Sequence, residues 1–172
     1  MNMNKEKILI SACLCGKPVR YNGKFARNLI DENEIIKRWH QEDRLVLVCP
    51  EILAGLPTPR PSAEMQGVTG EAILSSQGVV LSQTGEDFTE SFIAGAKLVL
   101  EIAKTNNIKM AILKNRSPSC APTDSYDGSF SDKTYLGRGV TAALLYRNNI
   151  KLFNEDQINL AAGYLSVLDP RN

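Results

Sequence analysis

The chain has 172 residues, 43% hydrophobic and 23% charged, which suits one soluble domain with a real core and excludes a disordered or collagen-like chain. Twenty basic residues stand against 19 acidic ones, a net charge of +1. That balance speaks against a footprint for duplex nucleic acid but leaves room for a nucleotide-sized ligand.

The chain begins Met-Asn-Met-Asn-Lys-Glu-Lys, with no apolar signal core. No apolar run approaches the ~20 residues of a membrane helix, so the expected compartment is the cytoplasm, with no membrane partner. Lys7 to Ala12 reads as a short buried strand through Ile8, Leu9 and Ile10. A polar, Gly-containing loop follows from Cys13 to about Arg27. Asp31 to Gln41 has helical spacing, with Ile35, Ile36 and Trp39 on one face, and His40 near its end reads as solvated. Leu45 to Val48 is a second strand, cut off by Cys49-Pro50. Strand, helix and strand in that order make a βαβ unit with parallel strands.

Glu51 to Gly70 reads as a loop stiffened by Pro57, Pro59 and Pro61, in which Arg60 and Glu64 either pair with each other or contact a substrate. Ala72–Leu74 and Val79–Leu81 flank Ser76-Gln77-Gly78 and predict a β-hairpin. Phe88 to Asn106 is the strongest helix, with Asp87 as N-cap and Glu90 completing a capping box. Met110–Leu113 is the third core strand, and Lys114 to Leu136 a long polar loop. Gly139–Arg147 is helical, Lys151–Phe153 a fourth strand, and Asn154 with Gln157 caps a last helix through Ile158, Ala161, Ala162 and Leu165. The whole, residues 1–172, predicts a single α/β domain: a small three-layer, Rossmann-like fold with a mostly parallel sheet and a hairpin insertion.

Cys13 follows the first strand, Cys49 the second, and Cys120 lies in the loop after the third. In a reducing compartment four cysteines are thiols, metal ligands or catalytic groups rather than disulfides, and one histidine cannot supply a histidine-rich metal site. No local zinc-finger spacing exists, so the fold must do the gathering. The carboxyl ends of parallel strands lie along one edge, where ligands bind, and three thiols there could converge on one metal centre. The bland alternative is a set of small buried hydrophobes. Cys15 forms Cys-x-Cys with Cys13, but its alternate position can point it elsewhere. Four thiolates would suit structural zinc or a closed iron–sulfur cluster. Three would suit a [4Fe-4S] cluster with one iron open as a Lewis acid. A cysteine nucleophile is a third option and needs a base beside the thiol.

Glu51 stands two residues from Cys49 and reads either as a general base or as a solvated loop residue. In Lys114-Asn-Arg-Ser-Pro-Ser-Cys120, two hydroxyls and two cations adjoin a candidate ligand, where Ser117 or Ser119 can relay protons or bind a polar edge. Arg20 and Tyr21 shape either a pocket or only their loop. Gly137-Arg138-Gly139 offers helix-start amides to an anion, or only starts a helix.

These segments resemble one family. Ser11-Ala-Cys-Leu-Cys-Gly16, Arg20-Tyr-Asn-Gly23, Cys49-Pro-Glu51, Gly55-Leu-Pro-Thr-Pro-Arg-Pro61 and Glu64 are similar to the thiouracil desulfidases. So are Arg116-Ser-Pro-Ser-Cys120, Tyr126-Asp-Gly128 and Gly137-Arg-Gly-Val-Thr-Ala-Ala-Leu144, in the same order over nearly the whole chain. The resemblance implies a [4Fe-4S] cluster on Cys13, Cys49 and Cys120, with one iron not bound by protein, and catalysis by Glu51 and Ser117. The substrate it implies is a small thiolated pyrimidine, losing its sulfur by non-redox hydrolysis. Ser119, Arg116 and Arg20, near the candidate ligands in sequence, are the substrate-binding candidates. Two departures stand out. Ala121 replaces the usual glycine after the third cysteine, and Cys15 replaces an apolar residue, so it inherits no ligand role. The oligomeric state is not legible in the sequence.

Overall fold

The computed structural model describes residues 5–169; residues 1–4, with most of the polar start read above, and 170–172 lie outside the described residues. Four strands form the central sheet: β1 (Ile8–Ser11), β2 (Leu45–Val48), β5 (Met110–Leu113) and β8 (Lys151–Asn154). Their order is β2-β1-β5-β8 and every pairing is parallel.

Alternation along the strands builds two cores, because successive side chains leave opposite faces. Ile8, Ile10, Met110 and Ile112 face α1 (Leu29–Glu32), α2 (Glu34–Gln41) and α7 (Ile158–Leu168), around Trp39 and Leu165. Leu9, Ala111 and Leu113 face α5 (Thr89–Thr105) and α6 (Val140–Arg147), around Val99 and Leu145. This is the predicted three-layer arrangement. Arg44, buried just before β2, lies 2.6 Å from the Glu42 carboxylate and 3.5 Å from that of Asp169. It thereby ties the α2–β2 turn to the end of α7. Among the described residues no helix is long and apolar enough to cross a membrane.

The departures from the predicted elements are local. The Asp31–Gln41 helix is two helices, because Asn33 is extended and its side chain caps α2 by accepting from Ile35 N–H and Ile36 N–H. The hairpin exists with a different partner. Residues 72–74 belong to α4 (Gly70–Leu74), and β4 (Val80–Ser82) pairs antiparallel with β3 (Ala63–Met65), inside the segment read as loop. Proline punctuation there hid a strand that starts after Pro61 and buries Glu64 and Met65. Asp87 accepts from Thr89 N–H in a local turn and is not the cap of α5. Phe88 N–H bonds Val80 O and Thr89 Oγ1 accepts from Val80 N–H, so the β4 backbone sets where the helix starts. The long polar loop after β5 contains an antiparallel pair, β6 (Asp124–Tyr126) and β7 (Thr134–Leu136).

Candidate active site

In this strand order β1 is followed by β2 on one side, and the chain then returns to β5 on the other. The crevice outside the carboxyl ends of β1 and β5 is a topological switch point, where open α/β sheets bind ligands. A cavity of about 410 Å³ opens there. Cys13, on a 3₁₀ turn after β1, Cys49, directly after β2, and Cys120, in the loop after β5, all line it. All four cysteines are free thiols.

Cys49 is the residue before α3 (Pro50–Leu53), and its carbonyl accepts from Leu53 N–H. That short helix carries Glu51 in its first turn, where a carboxylate suits the helix dipole. The Cys49 Sγ lies 3.3 Å from Glu51 Oε2, as a donor to it. Cys120 is fixed by Ser117, whose Oγ accepts from Cys120 N–H at 3.0 Å and Ser119 N–H at 3.3 Å. Among the described residues the Ser117 hydroxyl proton has no acceptor, and Ser117 lines the cavity.

Burial pushes the Cys13 thiol up to about 12, with the Glu51 carboxylate adding to the rise and Lys114 and Arg20 opposing it. Burial and Glu51 likewise push Cys49 up to about 12. Burial, then Glu51, holds Cys120 well above the usual thiol range; a Ser11 hydrogen bond opposes this, while Cys13 and Cys49 add to it. The three thiols and the carboxylate thus share one electrostatic environment. Among the described residues, no three His, Cys, Asp or Glu side chains close around a point as ligands of a single ion would. The three lining thiols are all sulfur donors, and cysteine-only sulfur donors are the set that iron–sulfur clusters use. The donor chemistry therefore fits a cluster.

Arg20 and Arg116 also line the cavity, Arg116 with left-handed backbone (φ 55°) and its N–H on Asp124 O. Ser119 does not reach it. It is fully buried, its Oγ is 2.8 Å from Thr141 Oγ1, and its carbonyl accepts from Thr141 N–H and Ala142 N–H, so it fastens the Cys120 loop to α6. Cys15 lies in the core with Ile8, Ile10 and Leu14, where burial pushes its thiol up to about 11. It does not line the cavity, so a four-cysteine site is not what the fold builds.

Two further readings change. Arg60 and Glu64 do not pair: Arg60 donates to Pro57 O, Thr58 Oγ1 and Val19 O, while Glu64 takes amides of a distant loop. The Gly137 and Gly139 amides are already occupied, by Thr123 O and Ala121 O, so that turn offers no anion site. Sequence reasoning missed Glu155 and Phe130. Glu155 follows β8 at the same sheet edge and accepts from Lys114 Nζ (2.6 Å) and Asn115 N–H (2.8 Å); the strand-end rule that found the cysteines would have found it. Phe130 lines the cavity from the β6–β7 turn, where no periodicity marks it.

The fold and this crevice place the chain among parallel α/β proteins that bind at a switch point, with a thiol-lined site. It belongs to the family described as 2-thiouracil desulfurase, whose profile matches residues 8–157. The chain is 41% identical over 152 residues to YbbK of Bacillus subtilis (strain 168), covering 88% of this chain and 97% of that one. Among solved structures, a [4Fe-4S]-dependent thiouracil desulfidase, TudS, superimposes with a TM-score of 0.85 at 40% identity, covering 95% of this chain and 99% of that one.

Proposed function

We propose that the protein is a cytoplasmic [4Fe-4S]-dependent desulfidase that converts a small thiolated pyrimidine, with thiouracil as the reference substrate, to the oxo-pyrimidine and sulfide. The observation that carries this is the meeting of three free thiols from three adjacent strand ends with the Glu51 carboxylate on one cavity. Free thiols suit a reducing compartment.

Cys13, Cys49 and Cys120 would hold three irons, leaving the fourth without a protein ligand. When bound, the cluster supplies a Lewis acid for the soft thiocarbonyl sulfur. Glu51 accepts a proton from water, whose oxygen attacks the carbon bearing sulfur. A C–O bond forms, the C–S bond breaks, and the sulfur departs as sulfide; one water is consumed and no electron changes hands. Ser117 donates its unused proton to the ring or the leaving sulfur, and Arg20 and Arg116 hold the ring's acceptor edge from the cavity wall.

Glu51→Ala tests the base. Iron content and absorbance should match wild type after anaerobic reconstitution, while kcat falls by roughly 10²–10⁴-fold, the usual contribution of a positioned acid or base. A variant that turns over normally removes Glu51 from the mechanism.

A further inference from the structure

The β6–β7 turn is one wall of the cavity, and its conformation is costly. Phe130 and Asp132 line the cavity, and both have left-handed backbone, with φ of 54° and 60°. Non-glycine residues hold such angles only where the surroundings over-determine them. What holds this turn comes from another part of the chain. Glu64, on β3, is buried, and a single carboxylate oxygen accepts from Gly128 N–H at 2.9 Å and Phe130 N–H at 3.1 Å. The Asp127 carbonyl accepts from Gly67 N–H just beyond β3. Gly128 has φ of 92°, and a Cβ there would stand 2.7 Å from Met65 O, so the turn lies flat against the end of β3. Asp127 caps the turn internally by accepting from Ser129 N–H.

We infer that Glu64 is a positioning residue for substrate: its carboxylate pins the 127–133 turn so that Phe130 forms the aromatic wall against which the pyrimidine ring sits. This rests on the desulfidase reading for the identity of the substrate, while the pinning itself does not. Carboxylate oxygens accepting backbone N–H make the stronger class of hydrogen bond. The turn's other bonds, Gly67 N–H to Asp127 O, Asp127 N–H to Lys133 O and Ser129 N–H to the Asp127 carboxylate, hold its ends, so losing both frees the Phe130 backbone between them.

The test compares Glu64→Ala and Glu64→Gln in the reconstituted full-length protein, with thiouracil as substrate. Glu64→Ala should keep wild-type iron content and absorbance. Its KM should rise roughly tenfold with kcat little changed, the pattern of a lost binding contact. Hydrogen exchange at Gly128 and Phe130 amides should accelerate. Glu64→Gln keeps an acceptor oxygen and should restore both the exchange protection and most of the KM. Wild-type KM or unaltered exchange in Glu64→Ala overturns the inference, as does loss of iron in that variant. Should Glu64→Gln be as impaired as Glu64→Ala with its amides still protected, Glu64 contacts substrate directly and the inference is also overturned. Wild-type protein that binds the cluster but releases no sulfide sinks the desulfidase reading, and the exchange data still decide whether Glu64 holds the turn.

Discussion

Cys13, Cys49 and Cys120 sit where a thiolate is disfavoured: burial raises each, and the Glu51 carboxylate adds to it. Such a site carries a free-energy cost for charge that only a cation repays, which is how a metal centre and its pocket become linked. Each of the three thiols should therefore be indispensable. Cys13→Ala, Cys49→Ala and Cys120→Ala are expected to lose iron and turnover after reconstitution, measured by iron assay and absorbance. Cys15→Ala is expected to keep both, since Cys15 packs among Ile8, Ile10 and Leu14 and does not line the cavity. Cluster loss in Cys15→Ala, or full iron content in any of the other three, contradicts the assignment.

At the scale of elements, the site depends on short segments held by close packing rather than by their own length. Helix α3 has four residues, too few to be stable alone, yet it carries Glu51 and follows Cys49. It is fixed by α5: a Cβ on Gly95 would stand 2.3 Å from Pro50 O, so glycine lets the long helix press on the short one. Gly95→Ala should cost about 1–3 kcal/mol, the usual range for overpacking. The loss should appear in a thermal melt together with reduced turnover, because the displaced backbone bears the carboxylate. Gly163→Ala in α7, where an added Cβ meets nothing within 4 Å, is the control and should melt no lower than wild type. Equal behaviour of the two variants would show that the α3–α5 contact does not govern the site.

Legibility differed between these elements for physical reasons. The four core strands and α5, α6 and α7 announced themselves through buried periodicity, and the thiols through their place at strand ends. β3, β6 and β7 did not. Each has three residues, too few to show a period, and the turn between β6 and β7 is held from across the chain by Glu64 reaching Gly128 and Phe130. Asp87 looked like a cap because local sequence favours one; β4 overrode it. Ser119 looked accessible because it neighbours Cys120 in sequence, but the turn at Ser117 points it toward Thr141. The resemblance to a known family indicated which strand-end residues to weigh, and the strand order supplies the physical reason they meet.

For the whole molecule, the parallel order β2-β1-β5-β8 is what turns separated cysteines into neighbours. Cys13 and Cys120 flank the switch point, and Cys49 stands at the end of the adjoining strand with Glu51 beside it. Helices on both faces bury the sheet, and the thiols line the cavity at the carboxyl ends of its strands. The measurement that bears most directly on this account is sulfide release from thiouracil by the anaerobically reconstituted protein, with iron content determined on the same sample. The account predicts stoichiometric sulfide and uracil over many turnovers, in proportion to bound iron and without added reductant. Iron-loaded protein that forms no uracil, or sulfide release that persists after iron is removed, would contradict it.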